Sequence, residues 1–130
     1  MFIRGLFTIA LAHFTASIIV ALCTLGLSSA VGGAFLYMVF GALYLIAEVP
    51  FVVFSLWVLR HAKSRLIKVL VSVFIVLSAA LLGAALTIKV EGSRPDDYLL
   101  GNILAGIAVG VITCISGLRF LTRTQKLVAN

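Results

Sequence analysis

A chain of 130 residues that is 63% hydrophobic and 11% charged, with a mean hydropathy of +1.27, has too little polar surface to cover a water-soluble domain. This composition excludes a soluble globular fold and points to an integral membrane protein. A net charge of +6 would suggest nucleic acid in a soluble chain; here loop topology and attraction to anionic lipid head groups account for it, so no nucleic-acid partner is expected.

Four apolar runs, near residues 5–27, 34–59, 69–88 and 98–118, each reach the roughly 20 residues needed to cross about 30 Å of hydrocarbon. They predict an all-α fold, a single domain over 1–130 built as four transmembrane helices in an antiparallel bundle. The connecting loops leave no room for a soluble domain. Any chemistry therefore belongs inside the bundle or at its rims.

The first run follows Arg4 and ends near SSA (28–30), the small residues of a signal-peptide cleavage site. Its apolar part exceeds the roughly 7 to 15 residues of a signal core, so an uncleaved first helix is expected. His13, Ser17, Ala21, Thr24 and Ser28 share one face of it. The linker SSAVGG (28–33) is short, uncharged and glycine-rich, which predicts a tight hairpin on the outer side.

The second run contains YLIAEVPFVV (44–53), with the acid Glu48 two residues before Pro50 in otherwise apolar surroundings. Pro50 cannot donate to the carbonyl of Ile46, so a helix kink is expected there. Gly33, Tyr37, Gly41, Tyr44, Glu48 and Ser55 read as one continuous helical face. An acid at the centre of a membrane helix costs about 2.5 to 3.5 kcal/mol, which makes it a functional suspect by default. The plainer reading is a hydrogen bond to a neighbouring helix or to the freed carbonyl, which simply fixes the packing.

Depth selects the partners of Glu48. His13 lies nine residues from Arg4 and Glu48 twelve from Arg60, or roughly 13 Å and 18 Å from the inner rim. Ala79 and Gly110 fall at comparable depth and add no bulk, so a small cavity around His13 and Glu48 is expected. Burial favours the neutral acid, and a protonated His13 beside it favours the carboxylate. Glu48, His13, Tyr44 and Ser17 form the candidate proton, ion or polar packing site. Tyr37, Tyr44 and Trp57 also suit interfacial or packing roles.

RHAKSRLIK (60–68) makes the inner turn and carries Arg60, Lys63, Arg65 and Lys68. The third run has a weaker small-residue stripe at Ser72, Ala79 and Gly83. In KVEGSRPDD (89–97), Ser93 followed by Asp96 fits a capping box that would start the fourth helix. That helix lines up Asn102, Gly106, Gly110, Thr113 and Gly117, including the close-packing pattern GxxxG. Gly41, Gly106, Gly110 and Gly117 are the candidate helix-packing positions. Beyond them, Arg119, Arg123 and Lys126 share a face, which predicts that the last helix runs on along the inner interface.

Arg4, the four bases of the second loop and the three of the tail are eight of the ten basic residues. The positive-inside rule then places both termini in the cytoplasm, with a bacterial inner membrane expected. Arg60, Lys63, Arg65, Lys68, Arg119, Arg123 and Lys126 are positioned to contact anionic head groups. Cys23 and Cys114 lie roughly 28 Å and 7 Å from the inner rim, too far apart for a disulfide. With no CxxC pair and no His/Cys cluster, neither a metal nor a cofactor is expected.

No reaction motif or family signature stands out, and no nucleophile is spaced to sit beside a base, so an enzyme is not expected. The close-packing stripes make the leading expectation an accessory, regulatory or immunity-type subunit, acting through helix contacts with another membrane protein or a second copy. The alternative is a small oligomeric proton-coupled transporter or channel that uses Glu48 with His13, a second copy supplying further walls.

Overall fold

The computed structural model describes residues 2–25, 27–91 and 95–128. These are helical throughout apart from short turns: α1 (Phe2–Leu25), α2 (Ala30–Phe40), a 3-10 turn (Gly41–Tyr44), α3 (Leu45–His61), α4 (Arg65–Glu91) and α5 (Pro95–Val128). Three stretches, Gly5–Thr24, Arg65–Leu86 and Tyr98–Arg119, are long and apolar enough to cross a membrane. Phe7, Phe14, Phe35, Phe54, Phe74 and Leu81 all lie exposed. A surface of that kind suits hydrocarbon and not water.

The second apolar run departs from the expected single helix over 34–59. It is divided into α2, of 11 residues, and α3, of 17, and neither alone reaches the roughly 20 residues of a span. The break falls at Gly41, whereas Pro50 lies inside α3. Glycine is a weak helix former, about 1 kcal/mol worse than alanine. The ring of His13 also sits against Gly41, where an added Cβ would stand 3.5 Å from His13 Cε1. Pro50 is the sixth residue of α3, where a regular ladder would have used its N–H on the Ile46 carbonyl. The 3-10 turn keeps the expected face together: Tyr37, Gly41, Tyr44 and Glu48 line one cavity, and Gly33 and Ser55 are buried.

Local chemistry sets the other boundaries. At the turn between α3 and α4, Ala62 is extended and its N–H donates to the Val58 carbonyl. Ser64 Oγ then accepts the Ile67 N–H at 3.2 Å, capping the start of α4. Pro95 opens α5 at the first helical position, where its missing N–H is harmless. Ser93 of the expected capping box lies outside the described residues. As expected, α5 continues through the basic tail to Val128.

Helix α5 packs against α4, α1 and α3, while α2 rests on α1 and the 3-10 turn. Between α4 and α5 the backbones touch. A Cβ added to Gly83 would overlap the Asn102 carbonyl, one on Gly106 would overlap that of Ala79, and one on Gly110 would come within 2.9 Å of Val76 Cα. As the numbering rises on one helix it falls on the other, so the pair is antiparallel. Buried Ala12, Val52 and Val109 join α1, α3 and α5 in one apolar cluster, and Leu59, Ile75 and Cys114 join α3, α4 and α5 in another.

Candidate functional site

Above the first cluster the helices part around a cavity of about 220 Å³. Helix α1 contributes His13 and Ser17, the broken second run contributes Tyr37, Gly41, Tyr44 and Glu48, and the α4–α5 seam closes the far side with Ala79, Gly83, Asn102 and Gly106. The remaining lining, such as Phe51, Leu82 and Val109, is apolar.

The cavity is organised around one polar contact. His13 Nδ1 lies 2.9 Å from Glu48 Oε2, and the residues are only 9% and 8% exposed. The other ring nitrogen, Nε2, faces the Met38 carbonyl at 3.4 Å. Met38 belongs to the last turn of α2, just before the 3-10 turn. Ser17 donates its hydroxyl proton to the His13 carbonyl at 2.9 Å, a common arrangement for serine in membrane helices.

Both ring nitrogens face oxygen, Nδ1 the Glu48 carboxyl and Nε2 the Met38 carbonyl, which only accepts. Oε1 of Glu48 is buried and has no hydrogen-bond partner among the described residues.

Of the residues singled out in the sequence, His13, Ser17, Gly41, Tyr44 and Glu48 meet at the cavity. Gly110, expected at the same depth, packs on Val76 and on Ala79, which lines the cavity, and Gly106, one turn away, lines it directly. Gly117 packs on α3, where a Cβ would stand 2.8 Å from Leu59 Cδ1. Pro50 is exposed and lines no part of the cavity. Arg60, Lys63, Arg65 and Arg119 are exposed and Lys68 is half-buried, all apart from the cavity. The side chains of Arg123 and Lys126 lie outside the described residues. Trp57 is exposed and stacks on Phe54 and His61 along the outside of α3.

Two kinds of contributor escaped sequence reasoning. The Met38 carbonyl is a backbone group and leaves no trace in residue type, although a glycine inside an apolar helix was the available signal for the break. Phe51, Leu82 and Val109 are ordinary apolar residues whose place depends on helix rotation alone. Comparison with protein-family models, curated proteins and solved structures returns no match for this chain.

Proposed function

We propose that the chain is a small, non-enzymatic transporter or channel of the bacterial inner membrane, in which His13 and Glu48 hold an exchangeable proton at an intramembrane binding site. In this reading the chain crosses the bilayer four times as an antiparallel bundle, with α2, the 3-10 turn and α3 together making the second crossing. Both termini are cytoplasmic, the basic residues of the inner turn and tail meet anionic head groups, and a second copy widens the wall around the site.

The observation that carries the proposal is the buried His13–Glu48 pair at 2.9 Å on the wall of a cavity of about 220 Å³. A pair meant only to fix packing needs no adjoining space. The sequence ranked an accessory, regulatory or immunity-type subunit first, on its short loops, its lack of catalytic groups and its close-packing stripes. Gly83, Gly106, Gly110 and Gly117 all meet neighbours within the chain, which moves the weight to the solute site.

Proton flux tests this. In proteoliposomes containing a pH-sensitive dye, the wild-type protein is expected to dissipate an imposed pH step several-fold faster than Glu48→Gln, which keeps the shape and removes ionisation. Wild-type vesicles that match either Glu48→Gln or protein-free vesicles overturn the proposal.

A further inference from the structure

The helices fall into two groups by how they are held. Helix α5 meets α4 by backbone contact at Gly83, Gly106 and Gly110, and meets α1 at Gly101, where an added Cβ would stand 3.1 Å from Cys23 Cβ and 3.6 Å from Val20 Cα. These three helices form a frame. Helix α3 meets that frame through side chains: Val52 clusters with Ala12 and Val109, Leu59 with Ile75 and Cys114, and Glu48 bonds His13. Such contacts part and re-form without breaking a backbone seam.

Two interruptions of the helical ladder bracket the start of α3. The 3-10 turn Gly41–Tyr44 precedes it, and a 3-10 stretch within a longer helical run often marks a hinge. Pro50 follows, leaving the Ile46 carbonyl without the N–H that a regular helix would supply. Glu48 lies between the two, so a swing of α3 carries the acid with it.

On the side of the cavity nearer the turn between α3 and α4, the way through is shut. Ala12, Val52, Leu59 and Thr113 are all 0% exposed there. Ala12 adjoins His13 in sequence, and Val52 lies one turn beyond Glu48, so their cluster with Val109 forms the layer next to the polar pair. An apolar constriction of this kind holds back water and solute until it widens and wets.

Resting on the reading of the cavity as a transport site, we infer that the Ala12, Val52 and Val109 layer is a gate, and that α3 opens it by swinging about the 3-10 turn while α1, α4 and α5 stay together. The lever sets the size of the movement. Val52 is eight residues beyond Tyr44 and Trp57 thirteen, about 12 Å and 20 Å along the helix. Admitting a file of water about 3 Å wide at Val52 takes a tilt of about 15°, which carries Trp57 through about 5 Å.

The test uses the full chain in lipid nanodiscs and distances between spin labels, read by double electron–electron resonance. Phe7, Trp57 and Phe74 are exposed on α1, α3 and α4; they are replaced by cysteine in pairs after Cys23→Ala and Cys114→Ala, and labelled. Both pairs that include position 57 are expected to give two distance populations, separated by up to about 5 Å, and the pair at 7 and 74 only one. Val52→Thr keeps the shape and adds a hydroxyl to the layer. It is expected to raise the weight of the second population about twofold and the proton flux several-fold, effects of easier wetting. One narrow distance for both pairs at 57, in the native layer and in Val52→Thr alike, overturns the inference, and so does a distance between 7 and 74 that splits as theirs do. Populations that respond to Val52→Thr without any proton flux support the hinged α3 and count against transport. Flux that depends on Glu48 while every distance stays fixed leaves transport standing and removes the gate.

Discussion

The two sides of the cavity are built on opposite principles. On the α4–α5 side the backbones meet at Gly83, Gly106 and Gly110, with no side chain between them. Across the cavity, the second apolar run gives up its helix at Gly41 and is tied to α1 through His13, which reaches Glu48 on one side and Met38 on the other. Lipid supplies no hydrophobic drive between helices, so close packing and interhelical hydrogen bonds must do the joining. The seam relies on the first and the broken side on the second. A side chain spanning a gap keeps space beside it, whereas backbone contact leaves none, and for that reason the cavity opens where the polar link is.

The sharpest way to break this contrast is Gly106→Val. Its branched side chain has to displace the Ala79 carbonyl, a rigid backbone group with no rotamer to escape into. Overpacking of this kind is expected to cost about 3 kcal/mol, read as a lowered unfolding free energy in bicelles and a loss of monodisperse protein. A Gly106→Val protein as stable as the wild type would mean that α4 and α5 do not approach each other as described.

How much of this arrangement was legible in the sequence depended on counting along unbroken helices. The distance from Arg60 to Glu48 runs entirely within α3, so the constant rise per residue put Glu48 beside His13 even though the same run breaks further up. On α5 the count from Arg119 put Gly110 at this depth; Gly110 packs on Ala79, which lines the cavity, and Gly106, one turn along, lines it directly. The break at Gly41 was hidden for another reason. Pro50 carried the stronger local signal, and α3 continues through it. The local signal for the break, Gly41, is weaker than a proline's, and the ring of His13 lies against it.

A double-mutant cycle on His13→Leu and Glu48→Gln measures the polar side of the contrast. Interhelical hydrogen bonds in membranes average about 0.6 kcal/mol and reach about 1.7. Because this pair is buried and 2.9 Å apart, its coupling energy is expected near the upper part of that range, about 1.5 kcal/mol. The measurement is unfolding in bicelles for the wild type, both single variants and the double. A coupling near zero would show that the pair contributes nothing to holding the broken side, and the cavity would need another explanation.

The smallest expected effect tests whether the seam glycines are there for contact or only as part of a glycine-rich composition. Gly5 lies on α1 with nothing within 4 Å of the place its Cβ would occupy. Alanine there meets open space and gains the ordinary helix preference over glycine, at most about 1 kcal/mol. Gly5→Ala should therefore leave the unfolding free energy unchanged or raise it slightly, with the same helical circular-dichroism signal. If Gly5→Ala were as damaging as Gly106→Val, position along α4 and α5 could not be what makes a glycine necessary. The backbone contact would then lose its claim to be the element against which the polar side is measured.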